Sequence, residues 1–213
     1  MKNLILSFVV LLGTLVYAPA QNASYEELMG QTLSSLQKAA SPADWLEAAS
    51  RFERLGAMSP SDWLPAYYSA FTLTNASFVT EKGEDKDKLL DRAQTLLEDA
   101  IQKKAPQDET LVLQALIHQA RIGVSPMARG MKYSGMAEEC LAKAEALNPN
   151  NPRAPYLRGQ NIYNTPKMFG GGKENALPLF KQAEERFAKA QPSPLYPSWG
   201  RGENLSLIEA CKQ

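Results

Sequence analysis

A small–large–small–proline signature that returns along most of the chain constrains its fold more than any other feature. Ala48, Phe52, Leu55 and Pro60 carry the first copy. It returns as Ala93, Leu97, Ala100 and Pro106, and again as Ala137, Leu141, Ala144 and Pro149. A fourth copy, Ala176, Phe180 and Ala183, runs into a longer helix before Pro192. Steps of four and three residues place each set on one face of a helix. A small residue also stands midway along the preceding segment: Gly30, Ala70, Ala115 and Gly159. Two antiparallel helices pack closely only where a small side chain lets their backbones approach. The large residue one turn on fills the space between layers, and the proline turns the chain into the next pair. One pair cannot cover its own apolar faces, so the pairs must stack.

Alternation of β-branched residues is almost absent, and apolar residues recur at helical spacing instead. The pattern predicts helices near 24–39, 43–57, 62–76, 86–104, 108–122, 134–147, 152–164, 173–190 and 203–211. Ser41-Pro42 and Ser59-Pro60 have the form of helix starts, with a capping hydroxyl and proline in the first turn. Asn148-Pro149-Asn150-Asn151-Pro152 ends one helix and opens the next, and Gly170-Gly171-Gly172 ends another. The fold class is therefore all-α: a helical-hairpin solenoid of about four pairs with a C-terminal capping helix. Pro192, Pro194 and Pro197 forbid helix before that cap and force an extended crossing, anchored by Trp199. Leu205, Ile208 and Cys211 then share one face to close the stack.

The signature, with its small partner residue, resembles that of tetratricopeptide (TPR) repeats. The resemblance covers the chain to about residue 190 and implies an inner, concave face that holds peptides or partner helices. The repeat alanines are 45, 44 and 39 residues apart, against about 34 for TPR. The excess is expected in the turns within each pair, around 76–86, 122–134 and 164–173. The stretch from Asn148 through Pro152-Arg153-Ala154, Gly159-Gln160, Pro166, Phe169-Gly170-Gly171-Gly172-Lys173, Ala176 and Leu177 to Trp199-Gly200 is similar to exported TPR-like proteins of Gram-negative bacteria. A fainter likeness is to TPR partner proteins of TRAP-type solute transporters.

Residues 1–20 have the form of a signal peptide. Lys2 supplies the positive start, Leu4 to Val16 the apolar run, and Ala18-Pro19-Ala20 the small-residue site. Cleavage is expected before Gln21, leaving residues 21–213 as one helical-repeat domain in the periplasm or secreted. The apolar run is shorter than the roughly 18–20 residues of a spanning helix, so no stable membrane insertion is expected after cleavage. Lys and Arg together number 23, as do Asp and Glu. That balance gives no pull toward nucleic acid or an anionic membrane. Cys140 and Cys211 either pair in an oxidising compartment or serve as small buried hydrophobes.

Catalytic chemistry finds little to stand on. His118 is the lone histidine. It lies three residues after Ala115, where Leu33, Leu73 and Ile162 hold the matching places, so it is expected to be packed. A general base needs a nucleophile or an orienting acid fixed beside it, and none is signalled. One histidine also excludes a multi-histidine metal site, and Cys140 beside Glu138-Glu139 lacks ligand spacing. Paired acids such as Glu26-Glu27 and Glu184-Glu185 sit among Lys, Arg and Gln, as on solvated helix faces. The glycine run before Lys173 lacks the phosphate-loop spacing. Its glycines are expected to turn a loop while Phe169 plugs the core. No catalytic residue, metal or cofactor is expected.

The inner face is the candidate site. If Ala70 and Gly159 mark the helix crossings, Tyr67, Phe71, Tyr156, Gln160 and Tyr163 project from the first helices of their pairs toward it. Glu27, Gln31, Val112, Leu116 and Gln119 extend the line. The first functional reading is a non-catalytic adaptor for a protein or peptide. The alternative is a carrier of a small molecule or lipid, or a transporter accessory, with an apolar cavity. An adaptor needs an open groove, a carrier a pocket of about 300 Å3 or more.

Overall fold

The computed structural model describes residues 24–212. The signal-peptide expectation for residues 1–20 lies outside them. Among the described residues the chain forms nine α-helices and one short 3-10 turn, with no strand. The first two pairs are α1 (Tyr25–Leu36) with α2 (Pro42–Met58), and α3 (Leu64–Val79) with α4 (Gly83–Gln102). They are followed by α5 (Gln107–Ile122) with α6 (Pro126–Leu147), then α7 (Arg153–Asn164) with α8 (Lys173–Lys189). A final helix, α9 (Arg201–Lys212), packs on α8. No described helix is long and apolar enough to cross a membrane.

The repeated signature is the core of this stack. Phe52, Leu97, Leu141 and Phe180 are fully buried, as are Ala93, Ala137 and Ala176. The Phe180 ring lies directly on Gly159, where an added Cβ would stand 2.6 Å from it. That is the close helix crossing expected between α7 and α8. Gly30 is different, because nothing lies within 4 Å of its missing side chain. In the first pair, Met29 and Thr32 face the core instead.

Two local expectations are corrected. In the second and third pairs the extra repeat length is helix and not loop, with α3 running to Val79, α4 beginning at Gly83 and α6 at Pro126, whereas residues 165–172 of the fourth pair form the turn expected there. Gly130 and Gly135 both lie inside α6, although each costs a helix about 1 kcal/mol relative to alanine. Tertiary contacts outweigh them: Arg129 bonds both carboxylate oxygens of Asp87 at 2.7 and 2.8 Å, and Tyr133 packs against His118. Asp87 answers to Arg121 as well, and the Arg129 hydrogen bonds hold its carboxyl below the usual carboxylate range. Phe169 likewise does not plug the core but is largely exposed at the end of the 3-10 turn Lys167–Phe169. The glycines do turn the chain. Gly170 and Gly172 have φ of 81° and 104°, and a Cβ on Gly171 would strike the Thr165 carbonyl oxygen at 1.9 Å.

The sequence signal for a helix start holds at Ser41 but not at Ser59-Pro60, because Ser59 ends α2 and α3 begins only at Leu64, with Pro65 in its first turn. Ser41 caps α2 in a capping box with Asp44, which lowers the Asp44 carboxyl pKa through its backbone and hydroxyl hydrogen bonds. Both cysteines are free thiols. Arg158 pairs with Glu138 and Glu145, and Arg186 also reaches Glu145, tying α6, α7 and α8 together.

The helix α3 is buried on nearly every side. Three of its hydroxyls are satisfied within the helix, where Thr72 donates to the Tyr68 carbonyl, Thr74 to Ala70 and Ser77 to Thr74, while Ser69 donates to the Ala49 carbonyl of α2. It is covered because residues 190–200 cross back from α8 as an extended strap. The three prolines keep that strap free of helix. Tyr68 donates its hydroxyl to the Leu195 carbonyl at 3.0 Å, and Trp63 meets Tyr196 edge-on. The capping helix closes the stack through Ile208, Cys211 and Asn204, whose side-chain amide donates to the Phe180 carbonyl at 3.0 Å, whereas Leu205, expected on that face, is exposed.

Candidate functional site

The helices α3, α5 and α7 lie side by side along the inner face, and the strap closes part of it. What remains open is a cavity of about 240 Å3. One wall is α3, with Phe71, Asn75 and Phe78. The floor includes Leu116 from α5, with Tyr156 and Gln160 from α7 opposite. Trp199 and Gly200 of the strap, and Glu203 of α9, complete it. Phe78 is about half exposed at the mouth.

Each wall is held in place from behind. The Trp199 ring stacks on Phe71 with centroids 4.9 Å apart, and its indole N–H donates to the Tyr67 hydroxyl at 3.0 Å. Gly200 has φ of 103°, and a side chain there would press on the Tyr156 ring at 3.1 Å. Only glycine lets the strap turn so close to Tyr156. Gln160 donates its amide to the Tyr156 hydroxyl at 3.0 Å. Burial, with a smaller push from the Glu203 charge, raises the Tyr156 phenol well above its ordinary pKa, so it stays protonated at neutral pH. The cavity thus has aromatic and apolar walls and a few fixed polar groups, the usual make-up of a small-molecule site.

Three of the five inner-face residues named from the sequence meet here: Phe71, Tyr156 and Gln160. Tyr67 is completely buried beneath Trp199 and supports the wall from behind. Tyr163 turns toward the core, its ring 6.2 Å from that of Phe180. Asn75, Phe78 and Glu203 had no signal in the sequence. Trp199 was legible as an anchor but not as a cavity wall. His118 is packed as expected, against Tyr133 and Gln114, and burial lowers its pKa. Among the described residues no group of His, Cys, Asp or Glu is placed to hold a metal ion.

A second and larger opening, a cleft of about 410 Å3, lies on the other side of the strap. Asn151, Arg153 and Glu109 line its inner end, and Tyr196 and Arg201 its outer part.

The fold has a counterpart among solved structures. The HusA haemophore from Porphyromonas gingivalis matches with a TM-score of 0.80 at 32% sequence identity, over 90% of this chain and 94% of that one. The chain belongs to the HusA haemophore family. No protein-family model and no curated protein sequence matches it. The match to HusA spans almost the whole length of both chains. HusA is a haemophore, a binding protein rather than an enzyme by its name.

Proposed function

We propose that this protein is an exported, non-catalytic carrier of a tetrapyrrole, holding haem or a related porphyrin in the cavity between α3, α5, α7 and the strap. The membership of a haemophore family supports the ligand class. The observation that carries the reading is the aromatic wall formed by Trp199 on Phe71, facing Tyr156. A flat conjugated ring system finds apolar, largely aromatic surface there. The cavity is smaller than the roughly 300–1,000 Å3 of an enclosing pocket, so part of the ligand stands outside, past Phe78. A carrier that must give up its load is served by such partial cover. The adaptor reading would call for a long open groove, and the strap occupies that space. No protein partner is needed to account for the site.

The lining contains no histidine, cysteine or methionine. Tyr156 is kept protonated and already accepts a hydrogen bond from Gln160, which makes it a poor iron ligand. The ring faces, rather than the metal, then carry recognition. The mature protein titrated with haemin and with metal-free protoporphyrin IX should shift both absorbance spectra, with affinities within about tenfold of each other. Tyr156→Phe should retain haemin binding. Saturable binding of haemin alone, lost in Tyr156→Phe, would contradict the arrangement. Absence of binding by either compound would remove the function.

A further inference from the structure

Behind the aromatic wall lies a closed ring of polar contacts that ligand burial does not require. Arg153, the first residue of α7, and Glu109, in the first turn of α5, form an ion pair with each side chain only 5% exposed. Arg153 also donates through Nη1 to the Pro197 carbonyl of the strap at 3.1 Å. Its guanidinium sits 5.4 Å from the centre of the Trp199 ring. The Trp199 indole N–H donates to Tyr67, and the Tyr67 hydroxyl donates to Glu109 at 3.5 Å. Asn151 holds the carboxylate from another side at 3.1 Å.

A buried ion pair is seldom more stable than apolar residues of the same size. What it adds here is direction. The planar guanidinium offers one donor to the strap, another to Glu109, and its face to the indole. Its third group, Nε, is buried with no partner. A clamp built only for stability would not leave that donor idle, since an unmade buried hydrogen bond is costly. The orientation that leaves Nε idle is the one that lays the guanidinium against the indole and the strap.

We propose that Arg153 and Glu109 are positioning residues of the ligand cavity, fixing the plane of Trp199 and through it the affinity for a flat aromatic ligand. The ligand rests on the carrier reading, while the positioning of Trp199 rests on the contacts alone. Charge on Glu109 is what orients Arg153. The other titratable or charged groups around it are Asp108 on α5, Tyr67 and Tyr68 on α3, Tyr196 on the strap and Arg201 at the cleft. Burial pushes the Glu109 carboxyl above the ordinary glutamate range, against the pull of Arg153. The larger cleft, which Glu109 lines, gives solvent a route to it. Acidification therefore protonates Glu109 before most exposed glutamates, releases Arg153, and weakens ligand binding.

The test uses the mature chain labelled with 5-fluorotryptophan, with the Trp199 fluorine resonance assigned through Trp199→Phe. In Arg153→Met that resonance should move and broaden without ligand, while helix content is kept. Affinity for protoporphyrin IX should fall at least about tenfold. Arg153→Lys should not restore either, because an ammonium lacks the planar fork and face. If Arg153→Met fails to fold, Glu109→Gln decides, since it keeps the shape and an acceptor but not the charge. Wild-type affinity should drop on acidification while that of Glu109→Gln, already lower, changes less. An unmoved Trp199 resonance with wild-type affinity, or parallel pH profiles for wild type and Glu109→Gln, overturns the proposal. If the wild type takes up no porphyrin at any pH, the carrier reading fails, and the Trp199 resonance in Arg153→Met or Glu109→Gln alone decides the positioning.

Discussion

Phe180→Ala is expected to cost about 3–5 kcal/mol of stability, lowering the melting temperature by roughly 10 °C for a chain of this size. The ring is completely buried between α7 and α8, with Tyr163 beside it and the Asn204 amide on its own backbone carbonyl. Truncation leaves a void that the rigid crossing cannot close. Gly159 makes the test sharper. In the wild type, Gly159→Ala should destabilise, because its methyl would stand 2.6 Å from the Phe180 ring. In the Phe180→Ala background the same methyl meets no ring. It should then stabilise by up to about 1 kcal/mol, the gain of alanine over glycine within a helix. Calorimetric melting of the two single variants and the double variant reads this change of sign directly. Additive effects would mean that the ring does not lie on Gly159.

Trp199→Ala is expected to lower porphyrin affinity by about 2–3 kcal/mol, roughly a hundredfold, through lost apolar cover and ring stacking. The same variant should lose about 2–3 kcal/mol of stability. Trp199 is the point where the strap meets Phe71, Tyr67 and Arg153 together. Phe169→Ser supplies the control. Phe169 is the more exposed aromatic residue, but it lies outside the cavity. Its replacement should leave affinity unchanged and stability within about 0.5 kcal/mol. Binding by calorimetry and melting by circular dichroism separate the two effects. Equal affinity in Trp199→Ala and wild type would place the ligand away from the strap.

The sequence-level reading succeeded where a physical rule acts within one or two helical turns. The alanines and large residues of the signature are periodic, and periodicity alone assigns them to the core. Gly159 against Phe180 shows the rule at its strictest. Gly30 shows its limit, since a small residue in the right register need not be at a crossing. The first two turns of α6 are hidden locally because Gly130 weighs against helix, whereas the Arg129–Asp87 contact that holds them joins residues 42 apart. Phe169 was misplaced because an aromatic beside glycines was read as a plug, although a turn built on Gly170–Gly172 points it outward.

The cavity was half legible for the same reason. Phe71, Tyr156 and Gln160 follow from register on the first helices of their pairs. The prolines announced an extended strap and Trp199 an anchor. Where the strap lands was not visible, because the Trp199–Tyr67 contact spans 132 residues and no periodic pattern reports it. That landing turns Tyr67 from a surface residue into a buried support. The Glu109–Arg153 pair is hidden in sequence by the same logic. Each is an ordinary charge at the start of a helix, and only the stacking of α5 beside α7 buries both.

The most direct measurement of a porphyrin carrier is amide chemical-shift mapping of the isotopically labelled mature protein with one equivalent of diamagnetic protoporphyrin IX. The largest shifts should fall on Phe71, Asn75, Leu116, Gln160, Gly200 and Glu203, the residues that line the smaller cavity. The Trp199 indole N–H should move with them. Shifts confined instead to Asn148–Asn151 and Gln191 in the larger cleft, or scattered over the outer helices, would contradict it.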